Sequence, residues 1–158
     1  MQAFNTEQFL NTTHTEASST ELVLVPEGEY IGVSDAIGPD SFRTFDIGKG
    51  ERAGQQGYSL DVQFLINDEG GTLKEFLGRS PKVKYGMMLD ITKDGTLEFG
   101  KGRNVGLGRL REAFGQNGAG KPWQFSMLGG QVAKIKVKHR LDQKSGKTFA
   151  EVSEVTKM

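Results

Sequence analysis

The stretch Gln131–Val155 reads QVAKIKVKHR, then LDQKSGK, then TFAEVSEV. Its first segment alternates with period two: Ala133, Ile135 and Val137 share one face, and Lys134, Lys136, Lys138 and Arg140 share the other. Same-face side chains on a strand stand about 6.6 to 6.8 Å apart, so the second face is a straight row of cations over an apolar underside. Asp142–Lys147 is polar and contains Gly146, which is free to adopt φ > 0, so the chain is predicted to turn back there. On the return strand Ala150 and Val152 fit the core face, and Phe149 falls outside near the cations. A hairpin with a cation row beside an aromatic ring suits a polyanion with flat faces. Alternating lysines also serve to solvate a sheet face and to blunt an edge strand, so the hairpin alone leaves both readings open.

The rest of the chain weighs on that choice. With 158 residues, 22 of them glycine, and 35% hydrophobic content, the composition predicts one loop-rich β domain with room for a core. There is no cysteine, which excludes disulfides, thiolate chemistry and zinc–thiolate sites, and suits a cytoplasmic location. No apolar run approaches the ~20 residues of a membrane span, and Met1–Phe4 is unlike a basic signal-peptide start, so no membrane partner is expected. The formal net charge of +0 hides a division. Residues 1–42 hold seven acids and no Lys or Arg, which leaves 20 cations against 13 acids in residues 43–158. An acidic head on a basic body points towards contact with a polyanion.

Residues 1–21 are polar and acidic and read as a mobile tail, with a helical turn near Thr6–Leu10; residues 22–158 read as the folded domain. A first strand is expected at Tyr30–Ile37 and a second at Tyr58–Ile66, where Tyr58, Leu60, Val62, Phe64 and Ile66 alternate inward. Between them, residues 38–56 form a long loop holding Phe42, Arg43, Phe45, Lys49 and Arg52, a length that favours function. A third strand is predicted at Thr72–Leu77, followed by a second basic and aromatic cluster, Lys82, Lys84 and Tyr85. Lys93-Asp94-Gly95 marks an extra hairpin within Met87–Phe99. Asn104 is placed to cap a helix Val105–Phe114 that buries Leu107, Leu110, Ala113 and Phe114 and ends at Gly115.

The succession strand, strand, strand, helix, strand, strand is that of an OB-fold-like five-stranded barrel, with its helix between strands three and four. Such a barrel offers strands two and three, and the loops after strand one and between strands four and five, to oligonucleotides. Those two loops hold the cations and aromatics here.

Several segments resemble phage-encoded single-stranded-DNA-binding proteins of replication and recombination modules. These are Val25-Pro26-Glu27-Gly28-Glu29-Tyr30, Leu107-Gly108-Arg109-Leu110-Arg111, and Leu128-Gly129-Gly130 leading to Val137-Lys138-His139-Arg140 and Gly146-Lys147. The resemblance spans roughly residues 22 to 156. It implies an OB fold, sequence-tolerant binding of single-stranded DNA, and replication or recombination proteins as possible company; homodimerisation stays open. The last residues, Val155-Thr156-Lys157-Met158, lack the acidic tip by which cellular single-strand-binding proteins recruit partners, so recruitment by that route is not expected.

Catalytic leads are weak. Gly115–Lys121 matches the GxxxxGK phosphate-loop spacing, but Pro122 replaces the magnesium-binding hydroxyl and the segment follows a helix instead of a strand. Two histidines, His14 and His139, offer neither a metal set nor a catalytic triad, and His139 reads as a satisfied residue at the barrel end. No enzyme, cofactor or metal is expected. Trp123, the only tryptophan, reads as core. The expected nucleic-acid contacts are Arg43, Phe45, Lys49, Arg52, Lys82, Lys84, Tyr85, Lys134, Lys136, Lys138, Arg140, Lys144, Lys147 and Phe149, with Phe42 a further stacking ring. The competing expectation is a protein-interaction module whose basic face docks an acidic partner.

Overall fold

Strand β3, Gln56–Ile66, is the longest element and the centre of the core: Leu60, Val62, Phe64 and Ile66 are all buried, as their alternation requires. A computed structural model describes residues 3–158. Before β3 come helix α1 (Thr6–Asn11), strand β1 (Gly28–Ser34) and strand β2 (Phe42–Asp46). After it come helix α2 (Thr72–Leu77), β4 (Lys82–Leu89), α3 (Val105–Ala113), β5 (Val132–Leu141) and β6 (Thr148–Thr156).

The strands form one mixed six-stranded sheet in the order β1-β5-β6-β4-β3-β2, and β1 pairs also with β3. The pairings therefore run in a ring, β1 to β5, β6, β4, β3 and back to β1, with β2 outside it on the free flank of β3. All partners are antiparallel except β4 and β6, which meet in parallel at one residue pair, Lys84 with Glu151. Inside the ring Ala133, Ile135 and Val137 of β5 face Val83, Tyr85, Met87 and Leu89 of β4 around Phe64. A bulge on β6 shifts the register between Lys136, opposite Glu154, and Val137, opposite Val152. The extra residue resets the alternation, which is how Val152 and Val155, three apart, both reach the core. Leu107, Leu110 and Ala113 of α3 cover one end of this core, and Phe114 meets Phe64 with ring centroids 6.2 Å apart.

Three expectations are corrected. Thr72–Leu77 is a helix and not a strand: the Asp68 carboxylate accepts from the backbone N–H groups of Leu73 and Lys74 at 3.0 and 2.9 Å, and Gly78 closes the far end at φ 72°. Leu73 and Leu77 then fall on one helical face, against the core. The third strand of the ring is instead Lys82–Leu89, and the extra hairpin shrinks to a turn closed by Thr92 and Thr96, with a single bridge between Ile91 and Leu97. The long loop after β1 contains β2, in register with β3 from Phe42 opposite Leu60 to Asp46 opposite Gln56.

Asn104 stands at the start of α3 but does not cap it with its side chain. It adopts φ 48° and turns its amide inward, accepting from the Asp90 N–H at 2.7 Å and donating to the carbonyls of Asp90 and Glu98, each at 2.9 Å. The buried amide ties the turn after β4 to the helix. His139 is exposed and satisfied by hydrogen bonds: its N–H donates to Glu27 and its ring Nε2 lies 2.7 Å from the Val25 carbonyl oxygen. The hydrogen bond from His139 is the main reason the Glu27 carboxyl is held below its ordinary range. Among the described residues no helix is long and apolar enough to cross a membrane.

Candidate functional site

The segment between α3 and β5 carries Trp123 and Phe125, which join Phe42 in an aromatic series. Phe125–Leu128 form one turn of 3-10 helix, whose Leu128 is fully buried. It is held at the end of β1: the N–H groups of Gly130 and Gln131 donate to the carbonyl and the Oγ of Ser34, and the Ser34 hydroxyl donates to the Leu128 carbonyl. Gly129 passes so close to β1's continuation that a Cβ there would lie 2.9 Å from the Ala36 Cα. These contacts fix where Phe125 and Trp123 project.

Phe125 meets Phe42 of β2 edge-on at 5.4 Å and Trp123 at 4.9 Å, and the Arg111 guanidinium lies 4.2 Å above the Trp123 ring. The result is a ladder, Phe42, Phe125, Trp123, Arg111. The Trp123 N–H donates to the Gln116 side chain at 3.0 Å, and Arg111 donates twice to the Gln116 carbonyl, so one residue orients both. Partial burial lowers the Arg111 pKa from its ordinary value, and a guanidinium still stays charged at neutral pH.

Open recesses flank the ladder. One, of ≈ 300 Å³, is bounded by Phe42, Tyr58, Leu89, Ile91, Leu97 and Phe125 and is mostly apolar. The other, of ≈ 400 Å³, is bounded by Phe99, Arg111, Asn117, Lys121 and Trp123. Phe99 is 78% exposed although it is large and apolar. Among the described residues, no carboxylate pairs with Arg109, Arg111 or Lys121. Flat faces, an apolar slot and unpaired cations thus meet on one rim of the ring, a combination that stacks and neutralises at the same time.

The residues expected from sequence lie elsewhere. Lys134, Lys136, Lys138 and Arg140 do share the outer face of β5. Three of the four have carboxylate neighbours, however: Lys136 stands between Glu29 and Glu154, Lys138 faces Glu151, and Arg140 bonds Glu151 at 2.8 Å, while Lys134 lies opposite Ile31 and Thr156. The row is straight but its charge is interleaved with acid. Arg43 and Phe45 project from the outer face of β2, with Arg43 paired to Asp61 at 2.7 Å and Phe45 laid against Gly57. Lys84 shares Asp61 at 3.8 Å, and Lys82 bonds Asp35 at 3.0 Å. Lys49 and Arg52 are exposed in the turn between β2 and β3. Lys144 and Lys147 sit at the hairpin tip, where Lys147 and Phe149 border a groove shared with Glu21, Leu22 and Leu24 of the N-terminal segment.

Tyr85 is not available for stacking. It lies in phase with Val83 and Met87, is 9% exposed, donates to the Gly106 carbonyl, and has its pKa raised by burial. Trp123, expected in the core, packs against the core's edge half-buried and is at the same time part of the ladder. Sequence reasoning missed Phe125, Phe99 and Arg111 as site residues. A usable signal existed for Phe99: Phe99-Gly100-Lys101-Gly102-Arg103 mixes aromatic, glycine and cations as the loop around Phe45 does. Among the described residues no group of three or more His, Asp or Glu is arranged to hold a metal ion. Comparison of the sequence with protein-family models and with curated proteins returns no match.

Proposed function

We propose that this chain binds single-stranded DNA with little regard to sequence, on the rim that carries Phe42, Phe125, Trp123 and Arg111. The ladder itself carries the reading: three rings and a guanidinium in sequential contact, flanked by an apolar recess and by one with unpaired cations. Base stacking on aromatic side chains contributes about 1 to 3 kcal/mol per base and is indifferent to base identity. Phosphates would meet Arg109, Lys121 and Lys101, and bases would lie on Phe42, Phe99 and the open side of the ladder.

The ring of strands we take to be an OB-fold barrel. Its support is the order of pairing, with the first strand bonded to both the second and fourth ring strands, the third parallel to the fifth, and the helix between the third and fourth. On that reading β2 is an elaboration of the first loop, and the ladder joins this loop to the segment before β5. The outer β5 face, with its interleaved acids, is a secondary path for the strand and not its main track. The activity proposed is binding and not catalysis, and the resemblance of the sequence supports a role in DNA replication or recombination.

The test is titration of labelled oligo-dT and of duplex DNA of equal length, followed by anisotropy and by Trp123 emission. Tight binding to oligo-dT with Trp123 quenching, and weak binding to duplex, is the expected result. If about three phosphates are neutralised, log K should fall with log salt at a slope near −2, using ~0.7 per phosphate. Equal weak binding to both DNAs, with unchanged Trp123 emission, would favour a basic face that docks an acidic protein.

A further inference from the structure

Away from the ladder, the outer face of the sheet carries an aliphatic patch with nothing over it. Ile31 and Val33 of β1, Leu65 of β3 and Val132 of β5 are 39%, 37%, 39% and 47% exposed. The register makes them contiguous: Val33 is opposite Leu65 on one side and Val132 on the other, and Ile31 follows two residues away on the same face. A sheet with one face on the core ordinarily alternates to polar residues on the other. β5 obeys this at Lys134, Lys136 and Lys138, and β3 obeys it at Asp61 and Gln63. It fails singly at Met88 of β4, but only at Val33 do exposed aliphatic side chains of three strands adjoin. Strand propensity accounts for Val and Ile singly but not for their clustering across strands.

We propose that this face packs against the same face of a second copy of the chain, in a two-fold dimer whose axis runs along β1. The rim charges select that occupant. At the level of Ile31, one recess has Lys134 on its β5 side and Asn67 and Glu69 on its β3 side, with Glu29 of β1 closing its end beside Lys136. Neither Lys134 nor Glu69 has an ion-pair partner among the described residues. A two-fold axis along β1 keeps each level of the strand opposite itself and exchanges the two flanks. Lys134 then meets the partner's Glu69, twice per dimer, while Val33 meets its own copy on the axis. The flanks of the face are thus complementary in charge and its centre is apolar, while Glu29, which the axis sets opposite its own copy, has Lys136 beside it on β5. Four partly exposed aliphatic side chains fall short of the ~800 Å² per partner of a standard interface, so the charged rim must be included and micromolar association is expected. Lys134 is thereby assigned to self-association and not to DNA.

Sedimentation equilibrium of the full chain at about 1 to 100 µM brackets such a constant. The mass should rise from 17.3 kDa towards twice that value. Val33→Asp, on an exposed face, should give 17.3 kDa throughout with an unchanged circular dichroism spectrum. Lys134→Glu and Glu69→Lys should each weaken association about tenfold or more, since each contact occurs twice, and together they should restore it. A wild-type mass that stays at the monomer value, or association that survives Val33→Asp, overturns the proposal. So does failure of the double substitution to restore what either single one weakens. Loss of association on removing residues 1–21 overturns it too, by assigning the patch to the tail.

Discussion

Gly129→Ala tests the link between the end of β1 and the aromatic ladder. The added Cβ would stand 2.9 Å from the Ala36 Cα and 3.3 Å from the Asp35 carbonyl oxygen, and both are backbone atoms that cannot swing aside as a side chain would. Overpacking of this kind costs about 1 to 3 kcal/mol. Gly129 has φ −80° and ψ 148°, which alanine adopts freely, so restricting the unfolded chain returns about 0.4 to 1 kcal/mol. The net loss is then roughly 0 to 2.6 kcal/mol, and at about 2 to 4 °C per kcal/mol the midpoint should fall by up to about 10 °C. Because the strain is relieved by moving the Phe125–Leu128 turn away from β1, Trp123 should change its emission maximum in the folded protein, and oligo-dT affinity should fall with it. The assay is a thermal melt followed by native-state fluorescence. Gly38→Ala is the control: nothing lies within 4 Å of a Cβ added there, so both readouts should match wild type. A Gly129→Ala protein that melts with wild type and keeps its Trp123 emission would refute the claim that this glycine fixes the ladder.

Phe125→Ala should weaken oligo-dT binding by about 5- to 150-fold, the equivalent of one stacked base, whereas Lys136→Ala, flanked by two carboxylates, should change it less than about twofold; anisotropy decides. Asn104→Ala should destabilise the fold by about 2 to 4 kcal/mol in chemical denaturation, since it strips two part-buried carbonyls of their donor, leaves the Asp90 N–H without its acceptor and puts alanine at positive φ. Gly108→Ala, in open space within α3, should stabilise by about 0.5 to 1 kcal/mol in the same experiment. At the hairpin tip, hydrogen bonds from Ser145 and the Lys144 N–H hold the Asp142 pKa below its ordinary 3.8. The ionised form is the one that favours the closed turn, so closure persists at neutral pH and is lost as pH falls through and below that value. Amide exchange at Lys144, followed against pH, should report this opening, and an exchange rate that does not respond in that range contradicts it.

The strands were legible where period two met a single apolar face. Ala133, Ile135 and Val137, and likewise Leu60 to Ile66, are inside as the alternation requires. The same logic runs through Val83, Tyr85, Met87 and Leu89, and it buries Tyr85; reading that tyrosine as a ligand contact ignored its phase. Leu73 and Leu77 fit helical and strand periods equally, and only the glycines before them and Asp68's reach decide for helix. The interleaving of acid with the β5 lysines was invisible for another reason. It depends on the register of Glu29 and Glu154 against Lys136, and the second is set by a bulge that has no local sequence mark. Trp123 and Phe125 stand in an irregular segment, where no period tells an outward ring from an inward one.

The ring closes through one parallel residue pair, Lys84 with Glu151, and the strand that supplies Glu151 is translated after all of its neighbours. During synthesis β1, β3 and β4 can zip together and β5 can join them, yet the sheet stays a gaping sleeve with Phe64 wetted until β6 leaves the ribosome. A stalled or prematurely terminated product would therefore not be a slightly shorter version of this protein. It would be an open, sticky intermediate with two unpaired strand margins, of the sort that holding chaperones and proteases seize first.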